Sequence, residues 1–306
     1  MRRAKQLECI TIAYLLSVIG LMYAVMGSSQ AMQTAWIEDL LSLVPPIGFL
    51  IAARIRYRAP NPFFPFGYHR AVNIAYFTSA IALLSVGMFL FIESLIKLVT
   101  AEHPTIGAIT IFGETVWLGW LMFPVLVWSV IPAYFLGRAK IGIAERLHDK
   151  PLYADASMNK ADWLTGVSAG TGILGIAFGY WWMDAVAAIV ISVDIIWDGI
   201  GHLKNVVGDL MDRAPKTVDR KRYLDLPEEL SQAITQLPGV RDVAIRLREE
   251  GHVLNGDAFV FPEDSVDLLD LRLRIIEIAR GMDWRMHEIT VQFVGPEECS
   301  LTGENG

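Results

Sequence analysis

Four side chains in this sequence could together hold a divalent metal ion. Glu38 and Ser42 stand four residues apart, and so do Met158 and Asp162. On an α-helix that spacing puts each pair on one face, one turn apart. Two such faces brought together surround one point with two carboxylates, a hydroxyl and a thioether. The carboxylates balance a divalent charge, and oxygen donors suit hard or borderline cations. Ser42 and Met158 are the weaker donors, and Asp39, beside Glu38, and Asn159, beside Met158, are substitute oxygen ligands if the helices rotate. The spacing gains meaning from its setting, because both pairs lie in apolar segments where burying a charge is expensive.

That setting dominates the chain. Of 306 residues 53% are hydrophobic and 19% charged, with a mean hydropathy of +0.40. Six segments are long and apolar enough to cross a bilayer: 8–27, 32–53, 71–99, 113–137, 161–180 and 182–203. Lys and Arg alternate between the connections. Arg2, Arg3 and Lys5 precede the first segment, Arg54, Arg56, Arg58 and Arg70 surround the second connection, and Arg138, Lys140, Arg146 and Lys150 lie in the fourth. The other connections carry none, which predicts both termini in the cytoplasm. The start reads as a spanning segment and not as a cleaved signal peptide, since no A-x-A-like site follows it. Pro45-Pro46 should kink or unwind the second segment. Gly166-x-x-x-Gly170 and Gly175-x-x-x-Gly179 allow close helix packing.

Other ionisable residues inside the segments need partners. Glu93 and Lys97 are spaced as a local ion pair, and Asp184 as a helix cap at the interface. Asp194 and Asp198 lie one turn apart within the last segment, Asp194 about ten residues from either end. They could pair with a Lys or Arg of a neighbouring helix, bind a proton, or form a second polar cation site.

From Asp212 onward the chain holds 12 Lys and Arg against 19 Asp and Glu, which is the whole net charge of −7. An acidic tail argues against nucleic-acid binding. Its pattern reads helix 227–236, strands 240–248 and 256–261, helix 266–279 and strand 288–294. That order predicts a small α+β domain. The expected division is a six-helix transmembrane domain over 1–212 and a cytoplasmic α+β domain over 213–306. Cys9 and Cys299 stand at opposite ends and form no disulfide framework or C-x-x-C pair.

In order along the chain, several stretches resemble those of the cation diffusion facilitator transporters. Phe66-Gly-Tyr-His-Arg70 resembles the family's stretch before the third helix, and Leu152-Tyr-Ala-Asp-Ala-Ser-Met-Asn-Lys-Ala-Asp162 the one entering the fifth. Asp184-Ala-Val-Ala-Ala, Leu210-Met-Asp-Arg-Ala-Pro215 and Leu237-Pro-Gly-Val240 resemble later ones. The resemblance implies a six-helix α-helical membrane bundle with a ferredoxin-like cytoplasmic domain, a homodimer, and divalent-metal efflux in exchange for protons. Aligning Ser29-x-Ala-Met32 with the family's S-x-A-L puts Glu38, Ser42, Met158 and Asp162 on its metal-ligand positions. Where the family usually has His or Asp, three of these are Glu, Ser and Met, so a His-containing zinc site is absent. The family's cytoplasmic His positions are also altered: Tyr68 stands beside His69, and His252 and His287 fall elsewhere, as solvated surface residues. The domain should therefore dimerise by packing, without a zinc cluster. The resemblance also implies a charge link between Arg70 and Asp212.

The expected activity is export of a divalent cation, with no cofactor beyond the transported metal. Two other readings compete: a scaffold or regulator that has kept the fold, and a carrier of a non-metal cation. No nucleophile–base pair, P-loop or H-E-x-x-H suggests an enzyme. The compact loops favour a bacterial inner membrane.

Overall fold

The structure, a computed structural model, describes residues 2–25, 30–101, 108–111, 114–117, 119–177, 180–219 and 221–295. The side chains of 30–35, 108–119, 122–123, 169, 172–179 and 184 fall outside that description, as do Ser29, Gly179 and Cys299. The chain divides into two compact units, Met1–Ala59 with Ile74–Val206, and Pro60–Asn73 with Val207–Gly306. The second unit thus starts before the expected boundary at 212 and takes in the connection ahead of the third span.

In the first unit, α1 spans Arg2–Val25, α2 Gln30–Leu41, α3 Val44–Ile55, and α4 Ala71–Val99 apart from its first turn. Then come two paired strands, β1 (Ala108–Ile111) and β2 (Glu114–Trp117), and helices α5 (Gly119–Leu147), α6 (Lys150–Ala177) and, apart from its last turn, α7 (Met183–Leu210). Five helical stretches are long and apolar enough to cross a membrane: Arg2–Val25, Trp36–Ile55, Ala71–Val99, Pro124–Leu147 and Ala185–Leu210. The expected fifth span, 161–180, is the second part of α6, whose first part carries Lys150, Asp155 and Lys160.

The expected fourth span, 113–137, needs correction. Residues 114–117 pair as a strand with 108–111, and the helix runs ten residues further, to Leu147. Val, Thr and Trp in 114–117 suit a strand. Lys140, assigned by sequence to a connection, is therefore inside α5 and fully buried.

Pro45 and Pro46 break the second span at Ser42 and Leu43, between α2 and α3. Lacking N–H groups, the prolines cannot bond the carbonyls of Leu41 and Ser42. Elsewhere glycines set the packing. A Cβ on Gly199 would lie 2.9 Å from Leu84 Cα, one on Gly87 2.9 Å from Ile196, and one on Gly166 2.4 Å from Val130. The Gly166 motif thus packs α6 on α5.

The second unit holds α8 (Leu226–Thr235), β3 (Val240–Glu250), β4 (Val253–Pro262), α9 (Leu268–Met282) and β5 (Met286–Phe293). The α-β-β-α-β order is the expected one. The β3–β4 hairpin is antiparallel and β5 joins β4 in parallel. A parallel neighbour requires a crossover, and α9 supplies it. Asp267 caps α9 by accepting from the N–H groups of Leu269 and Asp270. Leu230 and Ile234 of α8, Leu271 and Ile275 of α9, and Leu254 and Val260 of β4 share one core. Ile275 is fully buried there. Ile275→Ala should destabilise this unit by about 2–5 kcal/mol. Faster limited proteolysis within 226–293 in the intact, detergent-solubilised protein would register it; an unchanged rate would remove Ile275 from the core.

Candidate cation site

The break in the second span places Ser42 at the end of α2, and Glu38 one turn before it, facing α6. There Asp162 and Thr165 lie three residues apart, on one face. The two helices meet through two cross-links. The Ser42 hydroxyl donates to Asp162 Oδ1 at 2.6 Å, and the Thr165 hydroxyl donates to Glu38 Oε1 at 2.8 Å. Glu38 is 2% exposed and Ser42 1%. Asp39 is also buried, and its Oδ2 has no hydrogen-bond partner. Glu38 and Asp162 are thus each oriented by a hydroxyl of the opposite helix, which leaves further lone pairs open.

The fourth expected ligand, Met158, makes apolar contacts, and Leu41 and Val44 on either side of the break pack against its cluster. Met158 is buried in an apolar cluster with Leu83, Val86 and Leu90 of α4 and Ile195 of α7. A thioether is apolar enough to be used as core filling there. The Asn159 amide oxygen instead accepts from Lys140 at 3.3 Å. Thr165 was missed by sequence reading, since a Thr in an apolar helix carries no signal until its partner is known. Among the described residues no three His, Cys, Asp or Glu side chains form a ready metal cage.

Asp194 and Asp198 both face Lys160 of α6, at 2.6 Å and 3.2 Å. Of the three roles open to them, the structure displays the ion pairing. Glu93 and Lys97 form the local pair expected, at 2.7 Å. Two clusters escaped the sequence reading. His202 of α7 is fully buried, with Nδ1 3.1 Å from the Tyr76 hydroxyl and Nε2 3.0 Å from that of Ser157. Lys140 meets Glu8 and Asp155. In each case the members come from different helices, so no local spacing announces them.

In the second unit, Arg70 and Asp212 are in contact at 2.9 Å. Arg70 also reaches Glu250 at 3.4 Å, and Arg248 donates to Glu250 at 2.9 Å. The Gly251 N–H donates to Asn73 Oδ1 at 3.1 Å. Gly251 has φ +70°, a conformation that favours glycine, and a Cβ there would lie 2.5 Å from the His69 carbonyl oxygen. His287 is exposed, with its ring 4.8 Å from that of His69, and His252 is half-buried.

Comparison with known proteins places this architecture. Residues 9–211 match the cation efflux transmembrane domain. The chain belongs to the cation efflux family. It is 26% identical over 305 residues to the manganese efflux system protein MneP of Bacillus subtilis, covering 95% of this chain and 92% of that one. An uncharacterized transporter of Methanocaldococcus jannaschii is 24% identical over 229 residues, 75% of each chain. A probable cation efflux system protein of Mycobacterium tuberculosis is 22% identical over 255 residues, 83% of this chain and 71% of its own. The family match covers both helices that carry Glu38 and Asp162. Membership makes the chain a multi-pass membrane transporter of the cation diffusion facilitator type, as the ordered motifs implied.

The ion-pair network of the second unit has a pH signature. Burial opposes ionisation of Glu250, but the hydrogen bond from Arg248 and the charges of Arg70 and Arg248 outweigh it. They hold its carboxyl below the usual glutamate value. A depressed folded-state value contributes stability above the unfolded value, about 4.3, and that contribution disappears as pH falls through the folded one. Glu250→Gln should therefore be less stable than wild type at pH 7, with the difference shrinking below about pH 4 and vanishing only once pH is under the folded value. Hydrogen exchange of the 240–262 amides in the intact protein measures both; a difference independent of pH would contradict the assignment.

Proposed function

We propose that this chain exports a divalent metal cation from the cytoplasm in exchange for protons, and that Glu38 and Asp162 bind both. The observation that carries this reading is the pair of hydroxyl cross-links at the broken second span, which orients the buried Glu38 and the half-buried Asp162 carboxylates at one helix contact. When both are ionised they match a divalent ion. When both are protonated the ion has no counter-charge and leaves. Two protons for one divalent cation keep the charge of the site constant, which limits the cost of carrying it through a low-dielectric interior.

Ser42 and Thr165 orient the carboxylates, and Asp39 supplies a third acidic side chain. The carbonyls of Leu41 and Ser42, freed by the two prolines, are further oxygen donors. Irregular backbone of this kind is tolerated within a membrane where it lines a site. An oxygen-dominated set favours a hard ion such as Mn2+ over a thiophilic one. That preference agrees with the manganese in the name of the Bacillus subtilis relative. In this reading Met158 packs the wall of the site and is not a ligand. The protein acts as a homodimer with both termini cytoplasmic, in a bacterial inner membrane, and needs no cofactor besides its cargo.

The test is metal-driven proton flux in proteoliposomes, with Mn2+, Fe2+, Co2+, Ni2+, Zn2+ and Cd2+ supplied in turn. Mn2+ should drive flux in the wild type. Glu38→Gln and Asp162→Asn should each reduce it at least about 10–100-fold, the loss typical of removing even a ligand's supporting group. Flux that survives in both variants would remove these residues from the site. No flux with any metal from a folded wild type would favour a scaffold or a non-metal carrier.

A further inference from the structure

The Glu8, Lys140 and Asp155 side chains come from α1, α5 and α6 and are 0%, 0% and 1% exposed. Lys140 Nζ lies 3.1 Å from Glu8 Oε2, is ion-paired with Asp155 Oδ2, and donates to Asn159 Oδ1 at 3.3 Å. One ammonium therefore sits among two carboxylates and an amide oxygen, all sealed from solvent. The charges do not cancel, since two acids face one base. No N–H or hydroxyl donates to Glu8 Oε1, although that atom is buried. A buried carboxylate oxygen without a donor is costly; the Glu8 and Asp155 side chains also meet, and a shared proton or a second positive charge is what the pair lacks.

The position of the cluster gives the imbalance a meaning. Asp155, Asn159 and Asp162 follow one another on α6 at four and three residues, so they form one stripe. Asp155 lies about 10 Å along the helix axis from Asp162, on the side of Lys150. The Lys and Arg distribution makes that side cytoplasmic. A cation approaching Asp162 from the cytoplasm along this stripe meets Asp155 and Asn159 first, and finds the lysine ammonium in its place.

We propose that Glu8, Asp155 and Asn159 form a second cation-binding site, on the cytoplasmic approach to Glu38 and Asp162. It takes a divalent metal ion in transit, and the Lys140 ammonium occupies it between passages. The proposal rests on the reading of Glu38 and Asp162 as the main site. Lysine suits the task because it presents one point charge on a flexible stem. A divalent ion carries by itself the two charges that the ammonium and a proton shared by Glu8 and Asp155 otherwise supply.

The experiment counts Mn2+ bound by the purified full-length protein in equilibrium dialysis. Binding by the wild type that is lost in Asp162→Asn tests the main site alone. With that site disabled, Asp162→Asn/Lys140→Met should regain one Mn2+ per chain. Adding Glu8→Gln and Asp155→Asn should remove it again. Lys140→Gln, which retains a hydrogen-bond donor, is the alternative if the methionine variant does not purify. Failure of folded Asp162→Asn/Lys140→Met or Asp162→Asn/Lys140→Gln to bind Mn2+ overturns the proposal, whatever the wild type does. Lys140→Arg keeps the charge and offers a fork that pins both carboxylates. It should slow export about tenfold, within the range seen for groups supporting a metal site, while Mn2+ binding at Glu38 and Asp162 is unchanged. Export at the wild-type rate would equally overturn the proposal.

Discussion

A carboxylate inside an apolar helix bundle needs a hydrogen-bond donor, a cation or a proton of its own. The first unit is organised around that need, and it answers it in different ways at different places. Glu38 and Asp162 receive hydroxyl hydrogen bonds from opposite helices. Asp194 and Asp198 share the ammonium of Lys160. Glu8 and Asp155 share that of Lys140. In the first arrangement the donors are neutral hydroxyls, whereas in the other two a lysine ammonium stands beside two acids.

The same need explains why the second span is broken. A continuous helix would satisfy its own carbonyls and present only side chains. With Pro45 and Pro46 following Ser42, the chain turns at the level of the site. Polar backbone and the Ser42 hydroxyl are then brought to the contact with Asp162. The close glycine contacts of α4 with α7 and of α5 with α6 fix the surrounding helices. The apolar cluster around Met158 packs one side of α6 and holds its polar face in register.

In the second unit ordinary packing carries the fold, and charge adorns its surface. The core between α8, α9 and the sheet is apolar. The Arg70, Asp212, Arg248 and Glu250 network is about half exposed except at Glu250. Exposed pairs of this kind contribute about 1 kcal/mol or less each. The stronger local constraint is at Gly251, where the backbone conformation and the neighbouring His69 carbonyl leave no room for a side chain.

The sequence determined what depends on neighbours along the chain. Long apolar runs defined the spans, alternation and helical periodicity defined the α-β-β-α-β unit, and four-residue spacing paired Glu38 with Ser42 and Met158 with Asp162. Pro45-Pro46 announced the break because a missing N–H is a local property. Only the tertiary structure decided which faces meet. It gave Thr165 to Glu38, turned Met158 into core, put Lys160 between two aspartates, and drew Lys140 out of a supposed connection into a buried cluster. It also paired 114–117 with 108–111 as strands where hydropathy suggested the start of a helix. Each of these depends on a partner from a distant part of the chain, and spacing within one helix carries no information about the helix that packs against it.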